Sequence, residues 1–173
     1  MEIFTYVIEG QLAHKDSMGN GSTIEAGDLQ YVSAGSGVHH SEYNLSADNL
    51  THLYQVWLQP SESGGAPRYA EKKLGDSAES NALTLLFAGD GRDGSTAIRQ
   101  NAEIHFGRLG AGKMLEIPAD IQRSHLWLQV ISGQVSIAGE TLGAADGVAI
   151  QNELSALSLE AAQDTKFLLF RLS

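Results

Sequence analysis

The chain has no cysteine, only three prolines, and few basic residues: 11 Lys+Arg stand against 21 Asp+Glu. Without cysteine there is no disulfide framework, thiol nucleophile or thiolate metal site. The net charge of −10 repels phosphate backbones and anionic lipid, which argues against nucleic acid or a membrane surface as partner. No apolar run approaches the ~20 residues of a membrane-spanning helix. Met1-Glu2-Ile3-Phe4-Thr5-Tyr6 has neither the basic region nor the cleavage site of a secretory signal. These absences point to a cytoplasmic protein. Also missing are a glycine-rich phosphate loop followed by Lys-Ser/Thr and the Gly-x-Ser-x-Gly nucleophile elbow.

What the chain does have is glycine, 19 in 173 residues and spread along its length, as expected of many tight turns between short strands. Ile3–Ile8 is β-branched and aromatic and stops at Glu9-Gly10. Leu12–Asp16 continues as a strand, and Asn20-Gly21 is the sharpest hairpin signal. Leu29–Ser33, Val38–Asn44 and Leu53–Leu58 follow the same grammar, as do Leu83–Phe87, Ile104–Leu109, Leu126–Ile131 and Lys166–Arg171. Only Ser155–Ala162 also admits a helical reading. Short strands separated by turn signals predict an all-β sandwich or barrel. Tyr6-Val7-Ile8-Glu9-Gly10-Gln11 echoes Gln129-Val130-Ile131-Ser132-Gly133-Gln134, and each is followed by a Gly/Asp turn, at Gly27-Asp28 and Asp146-Gly147. The echo predicts a duplicated β domain.

Four of the six histidines lie between His14 and His52. On a strand, residues i and i+2 share a face, so His40 and Glu42 aim together, about 7 Å apart, while His39 faces away. An imidazole and a carboxylate converging just after the glycine-rich turn Gly35-Ser36-Gly37 suit a divalent metal, although a 2-His-1-carboxylate site needs at least one more imidazole. A surface or ion-paired role is the plainer reading of the same pair. His14, His52, His105 and His125 lack ligand spacing and read as structural, with His14 set apart because it sits one strand away in the same half.

The run Gly27–Asn44, with Ser33-Ala34-Gly35-Ser36-Gly37-Val38-His39-His40-Ser41-Glu42 at its centre, resembles the pirins and pirin-like quercetinases, as do Met1–Gly10, His14–Asn20 and His52–Trp57. The resemblance covers the whole chain. It implies a bicupin: two cupin-type jelly-roll β-barrels, the first incomplete at its N-terminus. The implied boundaries are a partial cupin over residues 1–60 with the metal-site half, a connecting segment over 61–80, and a cupin-like domain without a metal site over 81–173.

In the family, the first barrel holds one divalent metal, usually Fe(II), through three histidines and a glutamate. Some members open the flavonol ring of quercetin with O2, whereas others act as regulatory partners of transcription proteins. The resemblance places His40 and Glu42 at two of the four ligand positions and gives Glu42 a second role as catalytic base. The other two ligands belong to a His-Pro-His motif ahead of the Met-Glu-Ile-Phe-Thr-Tyr segment, and the chain opens at that Met. The implied partner is a small flavonol-like aromatic substrate. The expectation is a protein with impaired metal binding and little dioxygenase activity, or a non-catalytic regulatory bicupin. A start placed too late and a shortened protein that pairs its open strand edges with a second copy are both left open.

Overall fold

A computed structural model of the chain describes residues 1–74 and 80–173. It divides into two compact units, Met1–Gly75 with Ile98–Gln100, and Asp76–Ala97 with Asn101–Ser173. Unit 1 contains β1 (Glu2–Glu9), β2 (Gln11–Asp16), β3 (Gly21–Glu25), β4 (Asp28–Ser33), β5 (His40–Asn44), β6 (His52–Leu58) and β7 (Arg68–Lys73). They form two antiparallel sheets, ordered β6-β1-β4-β7 and β3-β2-β5. Unit 2 contains β8 (Ala82–Ala88), β9 (Thr96–Ala97), β10 (Ala102–Leu109), β11 (Met114–Ile117), β12 (His125–Ser132), β13 (Gln134–Ile137), β14 (Glu140–Gly143), β15 (Gly147–Ile150), β16 (Leu157–Ala161) and β17 (Thr165–Leu172). Its sheets are ordered β15-β12-β17-β10-β8-β9 and β11-β16-β13-β14.

The all-β, cupin-type architecture expected from the sequence is therefore present. Ser155–Ala162, ambiguous between helix and strand, contains β16. The stretch 61–80 is not purely a connection: Arg68–Lys73 pairs along β4 as the outer strand of the first unit, because β4 offers a free edge and Tyr69 a partner for its interior. Residues 75–79 of that stretch lie outside the described residues.

The echo between the halves is structural. β6-β1-β4 matches β17-β12-β15, and β3-β2-β5 matches β14-β13-β16. Even the irregularities repeat. The ladder slips between Val7 and Glu9 against β6, and between Val130 and Ser132 against β17. Gly10 and Gly133 then turn the chain at φ 78° and 86°. At both glycines a Cβ would run into backbone, of Leu50-Thr51 and of Asp164-Thr165. Val-Ile-x-Gly-Gln thus encodes a bulge and a left-handed turn in both copies.

Candidate functional site

The site is built on the short hairpin of β2 and β3 and on β5, which pairs with β2. Asp16 shapes the hairpin: its Oδ1 accepts the backbone N–H of Met18 (2.9 Å) and Asn20 (3.0 Å), and its Oδ2 accepts Asn20 Nδ2 at 2.8 Å. Burial pushes the Asp16 carboxyl up, but hydrogen bonds from Asn20, His14 and Met18 outweigh burial and hold it below the ordinary carboxylate range. The β2–β5 register sets His14 opposite Glu42 and Asp16 opposite His40. Because alternate residues share a face, these four side chains form one patch in which each imidazole stands across from an acid.

His40 and Glu42 thus share a face, as the strand spacing predicts. His40 is exposed, and the Glu42 side chain is 20% exposed. Glu42 Oε2 accepts Gln55 Nε2 at 2.9 Å, and the same nitrogen reaches Thr5 Oγ1 at 3.3 Å. Trp57 Nε1 donates to Gln55 Oε1 at 3.0 Å, while its ring is 62% exposed.

The residue that sequence reasoning undervalued is His14. Its side chain is fully buried and makes contact on three sides: Asp16 Oδ2 lies 3.3 Å from Nε2, Glu42 Oε1 lies 3.9 Å from Nδ1, and the Tyr69 and His40 rings are 5.1 and 5.5 Å away between centroids. Nδ1 has no hydrogen-bond partner. The signal was legible as a second His-x-acid, His14-Lys15-Asp16, running antiparallel to His40-Ser41-Glu42. Tyr69, behind the ring, exchanges hydrogen bonds with Ser22 (2.5 Å), Gln30 (3.0 Å) and Glu71 (2.6 Å). Burial, followed by the neighbouring Glu71 carboxylate, pushes its phenol up to about 12, so it remains a neutral wall of the site.

The opposite face of β1 and β4 is structural. Phe4 stacks on Tyr31 at 5.3 Å, and the buried Glu2 carboxylate accepts Tyr31 Oη, Ser33 Oγ at 2.6 Å and the Arg99 backbone N–H at 3.2 Å.

Imidazole and carboxylate donors suit a first-row divalent metal, and an orphaned, buried imidazole nitrogen facing a carboxylate oxygen fits a missing cation. Among the described residues, however, no three His, Asp or Glu side chains already converge as a metal-holding group. The residues fit a metal in donor chemistry.

Two duplicated β units, one with an imidazole–carboxylate patch facing its interior, define a cupin-type protein of two domains. Residues 1–58 match the family model described as Pirin, and residues 85–172 match that of the quercetinase C-terminal cupin domain. The chain is 41% identical over 172 residues to a quercetin 2,3-dioxygenase of Escherichia coli K12, covering 99% of this chain and 72% of that protein. It is 35% identical to a pirin-like protein of Caulobacter vibrioides, over 98% of this chain and 72% of the relative. The crystal structure of YhhW from Escherichia coli superposes with a TM-score of 0.92 at 38% identity, covering 99% of this chain and 71% of that one. YhhW, a bacterial pirin, has also been solved with nickel(II), at a TM-score of 0.91 and 38% identity over 99% and 72% of the two chains. The chain belongs to the pirin family and is related to the quercetin 2,3-dioxygenases.

Among the described residues no helix is long and apolar enough to cross a membrane.

Proposed function

We propose that the first unit is a metal-dependent flavonol-oxidising site of the quercetin 2,3-dioxygenase type, with His40 and Glu42 as metal ligands and Fe(II) as the metal, working in the cytoplasm on a flavonol-like substrate. The observation that supports this reading most strongly is the His14–Glu42 pair, an unsatisfied buried imidazole nitrogen facing a carboxylate. A bound metal supplies Lewis acidity toward the flavonol 3-oxygen and a route for electrons to O2. The protein's own contribution is placement. Gln55 pins Glu42 Oε2, which leaves that oxygen aimed to take the proton of the 3-hydroxyl as general base. Trp57 offers an exposed ring for a planar polyphenol, and its N–H holds Gln55 in turn.

His40 and Glu42 correspond to two of the family's four ligand positions. The experiment is to add ferrous salt and quercetin aerobically and to follow both O2 uptake and loss of the quercetin absorbance. Turnover that disappears in Glu42→Gln supports the reading. Equal rates in the two proteins, matched by free iron, refute it.

The outer edges of β5 and β6 carry no partner strand among the described residues, and such edges invite pairing. We therefore expect a self-associated protein, and light scattering showing a clean monomer at micromolar concentration contradicts that expectation.

A further inference from the structure

We propose that Asn20 is a site of spontaneous modification in this protein: its side-chain amide is lost by deamidation through the Gly21 backbone nitrogen, at a rate set by the Asp16 carboxylate. The inference is independent of the metal-site reading.

The chemistry is intramolecular. The deprotonated backbone nitrogen of Gly21 attacks Asn20 Cγ, the Cγ–Nδ2 bond breaks, and ammonia leaves behind a five-membered succinimide. Water then opens the ring at either carbonyl to give aspartate or isoaspartate, so the net change is water in and ammonia out. A side chain on the following residue hinders the attack, and glycine has none. Of the chain's six asparagines, Asn20 alone precedes a glycine; Leu45, Leu50, Ala82, Ala102 and Glu153 follow the others. The turn around it is open. Gly19 and Gly21 are exposed. Beyond its chain neighbours, a Cβ at Gly19 would meet nothing within 4 Å, and one at Gly21 only the His14 carbonyl oxygen at 3.9 Å.

Against that susceptibility stands Asp16. Asn20 is tied to it at three atoms: Nδ2 donates to Oδ2 at 2.8 Å, the backbone N–H donates to Oδ1 at 3.0 Å, and the backbone oxygen accepts the Asp16 N–H at 3.0 Å. A hydrogen bond from Nδ2 to a carboxylate favours the planar, electron-rich amide and opposes attack at Cγ. Ring closure also expels Nδ2, so it proceeds once that nitrogen has come away from Oδ2. The reaction therefore runs from the opened hairpin, and the ties to Asp16 set how often it opens.

The product bears on the candidate site. Asp16 Oδ2, which accepts Asn20 Nδ2, also lies 3.3 Å from His14 Nε2. Deamidation replaces the donor amide there with a second carboxylate, and facing like charges separate. The isoaspartate form in addition lengthens the main chain by one methylene at the end of the β2–β3 ladder, where Lys15 pairs with Gly21. The modification thus loosens the hairpin that holds Asp16 against His14.

The test is timed incubation of the full chain in warm, mildly alkaline buffer, folded and in urea, followed by peptide mass mapping and isoaspartate-specific enzymatic labelling. In the folded wild type we expect a gain of one mass unit at Asn20 ahead of the other asparagines, about 10- to 100-fold slower than in urea. Asp16→Ala should close most of that gap, and Asp16→Asn, which keeps the volume, serves where the alanine variant fails to fold. Gly21→Ala in urea, where folding plays no part, should slow the reaction. In Asn20→Asp, hydrogen exchange at the Met18 amide should quicken by about tenfold as its bond to Asp16 loosens.

Folded wild type reacting as fast as the unfolded chain, or no faster reaction in the folded Asp16 variant, overturns the role given to Asp16. Earlier modification of another asparagine, or an intact Asn20 in the folded protein while the unfolded chain reacts, overturns the site itself.

Discussion

The two units run the same β framework through opposite interiors. His14 faces Glu42 across β2 and β5, and at the matching register of β13 and β16 Ile137 faces Leu159. Two residues earlier on the outer strand, His40 corresponds to Leu157. Across the other sheet, Gln55, Thr5 and Gln30 lie side by side, where the second unit has Leu169, Leu128 and Val148. A layer of hydrogen-bonding side chains in one copy is a layer of leucine, isoleucine and valine in the other. Ile137, Leu159, Leu128 and Leu169 belong to one buried cluster, each at 1% exposure or less. The framework is set by the bulge and glycine turns, and the layer inside it is free to become either a core or a site.

The units differ also at their edges. β10 lies beside β17 and β11 beside β16, and the first unit has no counterpart to these two strands among the described residues. β10 brings its own acid and imidazole, Glu103 and His105, to the face shared with Arg171. There Glu103 is answered by arginines, while His105 Nδ1, like His14 Nδ1, is buried without a hydrogen-bond partner. Arg92 Nη2 meets Glu103 at 2.6 Å, Arg123 also contacts it, and Arg123 bonds Asp120 at 2.9 Å. These cationic partners take up the lone pairs of the Glu103 carboxylate. The first unit's Glu42, by contrast, meets the Gln55 amide and stands 3.9 Å from His14 Nδ1.

The comparison breaks most visibly if the layers can be exchanged. Leu159→Glu puts the first unit's carboxylate into the second unit's dry core, and we expect a loss of about 4 kcal/mol or more, enough to unfold that unit. Urea denaturation read by Trp127 fluorescence in a Trp57→Phe background reports on it alone, since the two tryptophans fall one in each unit. Glu42→Leu, read by Trp57, should change stability by less than about 1 kcal/mol because Glu42 already reaches solvent. Comparable losses in both would show that the two layers are equally specified.

The next effect separates the two His-acid pairs by pH. Burial presses the His105 imidazole down to about 4, outweighing the neighbouring Glu103 carboxylate. The unfolded chain binds this proton near pH 6.5 and the folded one does not. The associated stability is complete above about pH 6.5 and is lost as pH falls toward 4, amounting to about 2–3 kcal/mol at ~1.4 kcal/mol per unit of pKa. The wild-type loss between pH 7 and pH 4.5 should shrink by that amount in His105→Gln. An identical acid limb in the two proteins would locate the proton elsewhere.

A third expectation concerns closure by β10. Gly107 lies opposite Phe167, whose ring occupies the space of a Cβ. Gly107→Ala should cost about 1–3 kcal/mol through overpacking, seen as a lower urea midpoint for the second unit with an unchanged slope.

Much of this could be read from residue order. The strand and turn alternation, the Asn20-Gly21 hairpin and the Val-Ile-x-Gly-Gln repeat have local causes, and local causes are legible. So is the common face of His40 and Glu42, which follows from spacing along one strand. The place of β7 was hidden because Arg68–Lys73 is polar and follows a run of Pro, Ser and Gly, and only the free edge of β4 gives it a partner. His14 was underrated for a similar reason: its meaning depends on pairing between β2 and β5, more than twenty residues apart, which no periodicity within either strand declares. Its spacing to Asp16 was visible; its orphaned nitrogen was not.

The smallest expected effect is at the corresponding outer positions, His40 and Leu157. His40 is exposed, so His40→Ala should shift the metal-free stability of the first unit by no more than about 0.5 kcal/mol. Leu157 packs partly buried against the second core, and Leu157→Ala should cost more, about 1–2 kcal/mol, as a half-buried version of the usual large-to-small penalty. Both are measured from urea midpoints with the tryptophan of the other unit replaced. A His40 penalty equal to that of Leu157 would mean that the imidazole is a packing residue like its counterpart, and the contrast between a filled barrel and an open one would fail at its simplest point.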